Sequence, residues 1–166
     1  SIFDYSDEFL KEIIEDIIKL KIQNFSNPKS SEFSSRLRQI VGKSFDETEL
    51  KELVSAKDID LKEKIINKFS ESREDRVKIL GEDHAKEIEK RIFLQSIDLN
   101  WKSHIQYLEQ LRQVIGLRSY GQRDPLVEYK KEAFDLFSNL LDKLKLDYVT
   151  ILMNLKIVTE QQEENK

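Results

Sequence analysis

Cysteine is absent from the sequence, which excludes a disulfide framework and every thiolate metal site and fits a reducing compartment. Histidine is nearly as scarce: His84 and His104 are the only two, far apart and outside any HExxH-like grouping, so no metal centre is expected. No apolar run approaches the roughly 20 residues that a bilayer span needs. The opening SIFDYSDEFL also lacks a basic segment followed by an apolar one, so the chain is expected neither to enter a secretory route nor to cross a membrane. Positive charge is not in excess either. The net charge of −4 argues against generic nucleic-acid affinity, leaving basic contacts to be local. With two prolines and four glycines in 166 residues, few points can break a helix.

Two short motifs raise chemistry that their context denies. Gly42-Lys43-Ser44 resembles the end of a phosphate-binding loop, but GxxxxGK[ST] needs glycine where this chain has Leu37, and an amphipathic helical pattern stands where a strand belongs. Asn24-Phe25-Ser26 matches a glycosylation sequon, a tripeptide common by chance and meaningful only on a secretory route. Carboxylates are abundant, yet no nucleophile–base set emerges.

What the sequence does contain is 39% hydrophobic and 36% charged residues arranged with helical periodicity, which predicts an all-α fold. Leu10, Ile13, Ile14, Ile17 and Ile18 form one stripe over residues 6–22, with Ser6 as the expected N-cap. After Asn27-Pro28, short helices are expected around Phe33, Leu37, Ile40 and Val41 (ending at Gly42), around Leu50, Leu53 and Val54 behind an Asp46/Glu49 capping box, and around Leu61, Ile65, Ile66 and Phe69 behind Asp60/Glu63. They predict a small helical lobe.

From Asp83 to Ile115 nothing interrupts the chain, and Ile97, Trp101, Ile105, Leu108, Leu111 and Ile115 advance by threes and fours. A second long helix is expected from Pro125, behind an Asp124 N-cap, with Tyr129, Ala133, Phe137, Leu140, Leu144 and Tyr148 on its stripe. Two such helices joined by about ten residues should pack as a long antiparallel hairpin, with Trp101, Ile105, Leu108, Phe137 and Leu140 as its core and His104 half-buried beside them. The polar tail TEQQEENK is expected to fray.

The connection VIGLRSYGQRDP holds half of the glycines and one of the prolines. Gly116 should end the first helix, with Leu117 folding back on Leu111. Turn-making does not account for Arg118, Tyr120 and Arg123. From Arg112 to Lys131 there are five basic residues (Arg112, Arg118, Arg123, Lys130, Lys131) against Asp124 and Glu128, a local charge of +3. Tyr120 is a contact candidate, because its neighbours are turn-formers and charges that leave little local core to receive it; the alternative is that it tucks back against the helices.

The run from Leu94 to Ile151 closely resembles the SecA family of bacterial preprotein-translocation motors. It carries Leu94-Gln95, Asp98, Trp101-Lys102 and His104, followed by the LRQ.I.LR.Y.Q.DP..EYK.E.F spacing from Leu111 to Phe134. The resemblance implies that residues 1–26 are the end of a long scaffold helix, 27–82 a helical wing domain, 83–158 a two-helix finger of the helical scaffold, and 159–166 a disordered tail. It further implies a fingertip in which Tyr120, flanked by Arg118, Ser119, Gly121 and Gln122, touches the preprotein at the cytoplasmic mouth of the SecYEG channel. ATP and magnesium would belong to nucleotide-binding domains elsewhere in the parent chain, and no cofactor to this part, which is then not itself an enzyme. Gly121 stands where some relatives have alanine, which loosens the tip. The location implied is the cytoplasmic face of the inner membrane, where the basic tip could meet anionic lipid. The competing classes are a non-enzymatic helical-hairpin adaptor that docks a protein partner and, disfavoured by so few basic residues, an RNA-binding arm.

Overall fold

The computed structural model describes residues 1–27, 29, 31–121 and 124–157, with the side chains of 118–120 outside that description. Six α-helices and one 3-10 turn account for the described residues, and no strand occurs among them. The all-α expectation holds.

Helix α1 (Ile2–Ser26) is longer than its apolar stripe predicts and starts behind Ser1, not Ser6. Ser6 is fully buried inside it. Leu10, Ile13, Ile14 and Ile17 face the core as their spacing requires. Helix α2 (Glu32–Val41) buries Phe33, Leu37, Ile40 and Val41 and ends at Gly42, where a Cβ would lie 2.3 Å from the Arg38 carbonyl oxygen. The Asp46/Glu49 capping box forms as expected, the Asp46 carboxylate accepting from the Glu49 amide at 2.8 Å at the head of α3 (Glu47–Ser55). The Asp60/Glu63 signal does not start a helix, because α4 (Asp58–Leu80) has already begun behind Lys57.

Helices α5 (Glu82–Ile115) and α6 (Pro125–Asn154) form the antiparallel hairpin, with Asn100 opposite Asp147 and His104 opposite Phe137. Asp124 caps α6, its side chain accepting from the Leu126 amide at 2.9 Å. The base of the hairpin is built into the lobe. Tyr148, Val149, Leu152 and Met153 of α6 share one core with Ile14 and Ile17 of α1, Leu37 and Ile40 of α2, Leu53 of α3 and Leu61, Ile65 and Phe69 of α4. Asn154 and Ser44 stitch the α2–α3 connection to the end of α6: the Asn154 amide donates to the Ile40 carbonyl at 3.0 Å, and the Ser44 hydroxyl lies 2.9 Å from the Met153 carbonyl and 2.8 Å from Asn154 Oδ1.

The hairpin core differs from the expected one. Trp101 (48% exposed), Ile105 (49%) and Phe137 (43%) lie largely in solvent, while Leu108 and Leu140 are half-buried. The buried face of α5 is displaced by one position, onto Ser96, Asn100 and His104, before Leu111 and Ile115 resume an apolar seam. Ser96 and Asn100 satisfy themselves locally. Ser96 Oγ donates to the Ile92 carbonyl at 2.9 Å, and the Asn100 amide donates to the Ser96 carbonyl at 2.8 Å and to Asp147 at 3.2 Å. Polar groups paired in this way can occupy a helix interface without an unpaired donor or acceptor.

Candidate functional site

Chain reversal at the hairpin tip does not use a left-handed glycine. Gly116 sits at φ −61°, ψ −27° and passes helical geometry on to a 3-10 turn over Gly116–Gly121. Leu117 therefore does not fold back on Leu111; it is 68% exposed. The backbone of Arg118, Ser119 and Tyr120 lies in that turn, but their side chains, and all of Gln122 and Arg123, lie outside the described residues. Gly121 has open space where a Cβ would stand and no positive φ. Alanine there would be unstrained.

The remaining basic tip residues are exposed. Arg112 is not a free charge: it pairs at 2.9 Å with Glu109, one turn back on the same exposed face, which weakens the local positive field. Lys130 and Lys131 lie exposed on the first turns of α6. Unforeseen at the tip is an apolar collar, in which Val114, Leu117, Leu126 and Val127 are each about half exposed or more. Val114 falls off the stripe through Leu111 and Ile115, and that offset was the available signal.

A second apolar surface runs along one flank of the hairpin. The indole of Trp101 lies against the buried His104 ring at 5.4 Å, and His104 against Phe137 at 6.0 Å. By helical geometry Leu94 and Ile105 share the strip of Trp101 on α5, and Phe134 and Leu141 that of Phe137 on α6. All are exposed. Three of the five residues predicted as hairpin core, Trp101, Ile105 and Phe137, thus lie on this exposed flank, while Leu108 and Leu140 are half-buried.

At Gly42-Lys43-Ser44 the groups a phosphate would need are already committed. The Gly42 amide bonds the Arg38 carbonyl at 2.9 Å, and the Ser44 and Phe45 amides bond the Val41 carbonyl at 2.9 and 3.1 Å. This segment does not fit a nucleotide phosphate. Among the described residues no cluster of His, Asp or Glu is placed to hold a metal ion, and no helix is long and apolar enough to cross a membrane.

Residues 2–156 match the family model described as the SecA wing and scaffold domain. The chain belongs to this family. Among curated proteins, the protein translocase subunit SecA of Pelagibacter ubique is 66% identical over 98% of this chain and 19% of its own length. The SecA subunits of Thermodesulfovibrio yellowstonii (35% identical, 92% of this chain, 18% of theirs) and Campylobacter lari (36%, 98% and 19%) are also similar. The chain spans about a fifth of the length of the SecA relatives it matches.

Proposed function

We propose that this chain serves as the wing and scaffold part of a protein-translocating motor, its hairpin reaching the SecYEG channel and touching the preprotein with the tip. The observation that carries this reading is the 66% identity, over nearly the whole chain, to a protein translocase subunit. The geometry supports it in two ways. The tip exposes Leu117, Leu126 and Val127 beside the turn that bears Tyr120, and apolar and aromatic area suits a substrate with no fixed sequence, because it demands little shape or hydrogen-bond complementarity. The long apolar flank around Trp101 and Phe137 suits packing against the rest of a parent chain, including nucleotide-binding domains that would handle ATP and magnesium. The bonded amides around Gly42 support assigning nucleotide to those domains. The exposed lysines of the tip suit a transient position at the cytoplasmic membrane face, with contacts to anionic lipid that weaken as salt rises.

The test is made in the full-length parent. Tyr120→Ala should leave thermal unfolding within about 0.5 kcal/mol of the parent while translocation at fixed ATP falls sharply, and Tyr120→Phe should retain most of it. A photocrosslinker at position 120 should capture the moving chain. Equal loss of stability and activity in Tyr120→Ala, with no crosslink, would mark the tyrosine as a packing residue and defeat the proposal.

A further inference from the structure

At the base of the hairpin a single carboxylate is the meeting point of four helices. Glu89 of α5 is wholly buried. It accepts from Arg73 of α4 at 3.0 and 3.3 Å, from Arg76 of α4 at 3.1 Å and from Ser6 of α1 at 2.9 Å. Ser6 Oγ also stands 2.7 Å from the hydroxyl of Tyr148 of α6 and 2.8 Å from the Ile2 carbonyl. A hydroxyl has one proton, and the charge-assisted bond to Glu89 is the stronger use of it. Ser6 therefore donates to Glu89 and accepts from Tyr148, giving a chain of bonds from α6 through α1 to α5. Arg73 reaches further, to Asp7 at 2.8 Å and the Phe3 carbonyl at 3.4 Å, with its guanidinium over the Phe3 ring.

Two features distinguish this knot from a well-satisfied core network. Arg76 is 2% exposed, bonds Ser72 at 2.8 Å in addition to Glu89, and keeps a buried Nε–H without a partner. Burial opposes its charge more strongly than Glu89 supports it. The closed arrangement thus withholds one hydrogen bond that water would supply if α4 moved outward. The second feature is the corner itself. Arg76 and Glu89 stand on either side of Gly81, the only glycine of positive φ (+84°), where a Cβ would meet nothing within 4 Å but the backbone would be strained for an L side chain.

The geometry points to a latch: Glu89 holds the end of α4 against α5, and when its arginine bonds break, α4 pivots about Gly81 and changes the angle between lobe and hairpin. Breaking a buried ion pair by removing one partner leaves the other charge stranded, whereas replacing both with apolar groups can retain stability while giving up directional bonding. A latch and a mere packing element therefore respond differently to the same changes.

The absence of cysteine lets two be introduced site-specifically for spin labels, at exposed Lys62, near the end of α4 far from Gly81, and at exposed Gln106 on α5. Pulsed dipolar spectroscopy on the 166-residue chain should give one narrow distance distribution. Glu89→Gln should add a second population of at least a tenth of the molecules, and the paired Arg76→Leu/Glu89→Leu change should broaden the distribution even if thermal stability returns. Adding Gly81→Ala strains the closed corner, whose φ of +84° an L side chain rarely adopts, and should enlarge the second population. One unchanged narrow distribution in Glu89→Gln and in the paired variant, despite a lower melting temperature, would overturn the latch; a second population that Gly81→Ala leaves no larger would overturn the pivot. If Glu89→Gln loses its helical circular dichroism, Ser6→Ala removes only the hydroxyl link. There a smaller second population supports the latch, and an unchanged distribution overturns it.

Discussion

The two ends of the molecule bury their side chains by different rules. At the base, where the lobe meets the ends of α1 and α6, Ile14, Leu37, Leu53, Phe69, Tyr148 and Leu152 are essentially inaccessible and belong to one continuous core. Toward the tip, the hairpin is held by a polar stretch of Ser96, Asn100 and His104 and by a short seam at Leu111 and Ile115, while its largest apolar side chains face outward. The base closes around one core, whereas the arm leaves the apolar side chains of its flank uncovered. Apolar periodicity alone does not distinguish an internal core from a surface reserved for a partner.

The comparison breaks most visibly by truncation of the base. Phe69→Ala should cost about 3–5 kcal/mol, because a large ring is removed from a site with no solvent to fill the cavity. Chemical denaturation followed by circular dichroism measures it. A loss below about 1 kcal/mol would show that the base repacks freely and is not the rigid end.

Alkaline pH should weaken the base next. Burial raises the Tyr148 hydroxyl from its ordinary value near 10 to about 12. A folded-state value above the unfolded one means that the stabilisation is complete below about pH 10 and is lost as pH rises through about 12. The shift corresponds to roughly 2–3 kcal/mol. Tyr148→Phe should flatten this part of the stability profile. An unaltered alkaline slope in Tyr148→Phe would remove Tyr148 as its source.

The smallest effect belongs to the arm. Trp101→Ala should cost about 1–2 kcal/mol, well below the usual loss for a buried tryptophan, because half of the indole is already in water and no closed cavity forms. As the single tryptophan, its fluorescence should be readily quenched by iodide in the chain alone. A loss of about 4 kcal/mol with a shielded indole would make the arm resemble the base.

Much of this architecture was legible in the sequence wherever a local group has one job. The Asp46/Glu49 box, the Asp124-Pro125 start and the apolar positions of the lobe act through neighbours a few residues away, and each is found where its spacing puts it. The hairpin face was not legible, because Ile97, Trp101 and Ile105 present a stronger apolar period than the polar seam that is buried. Ser6 reads as an N-cap, and nothing in the sequence singles out Glu89 or Arg76, because their partners lie on other helices, up to 142 residues away in the case of Ser6 and Tyr148. Charge marks burial only when the opposing charge can be placed, and that placement is tertiary. Nor does the tip reveal itself by composition: its basic residues are conspicuous, but its exposed leucines look like any others.

The Ser6–Tyr148 pairing also dictates a timetable. At the roughly 5–20 residues per second of synthesis, α1 waits on the order of ten seconds for α6, with Leu10, Ile13, Ile14 and Ile17 lacking their distant partners. Within this stretch α1 leaves the ribosome first and completes its contacts only when α6 arrives, so a nascent chain halted before Tyr148 should present that isoleucine-rich stripe to whatever holds unfinished proteins in solution.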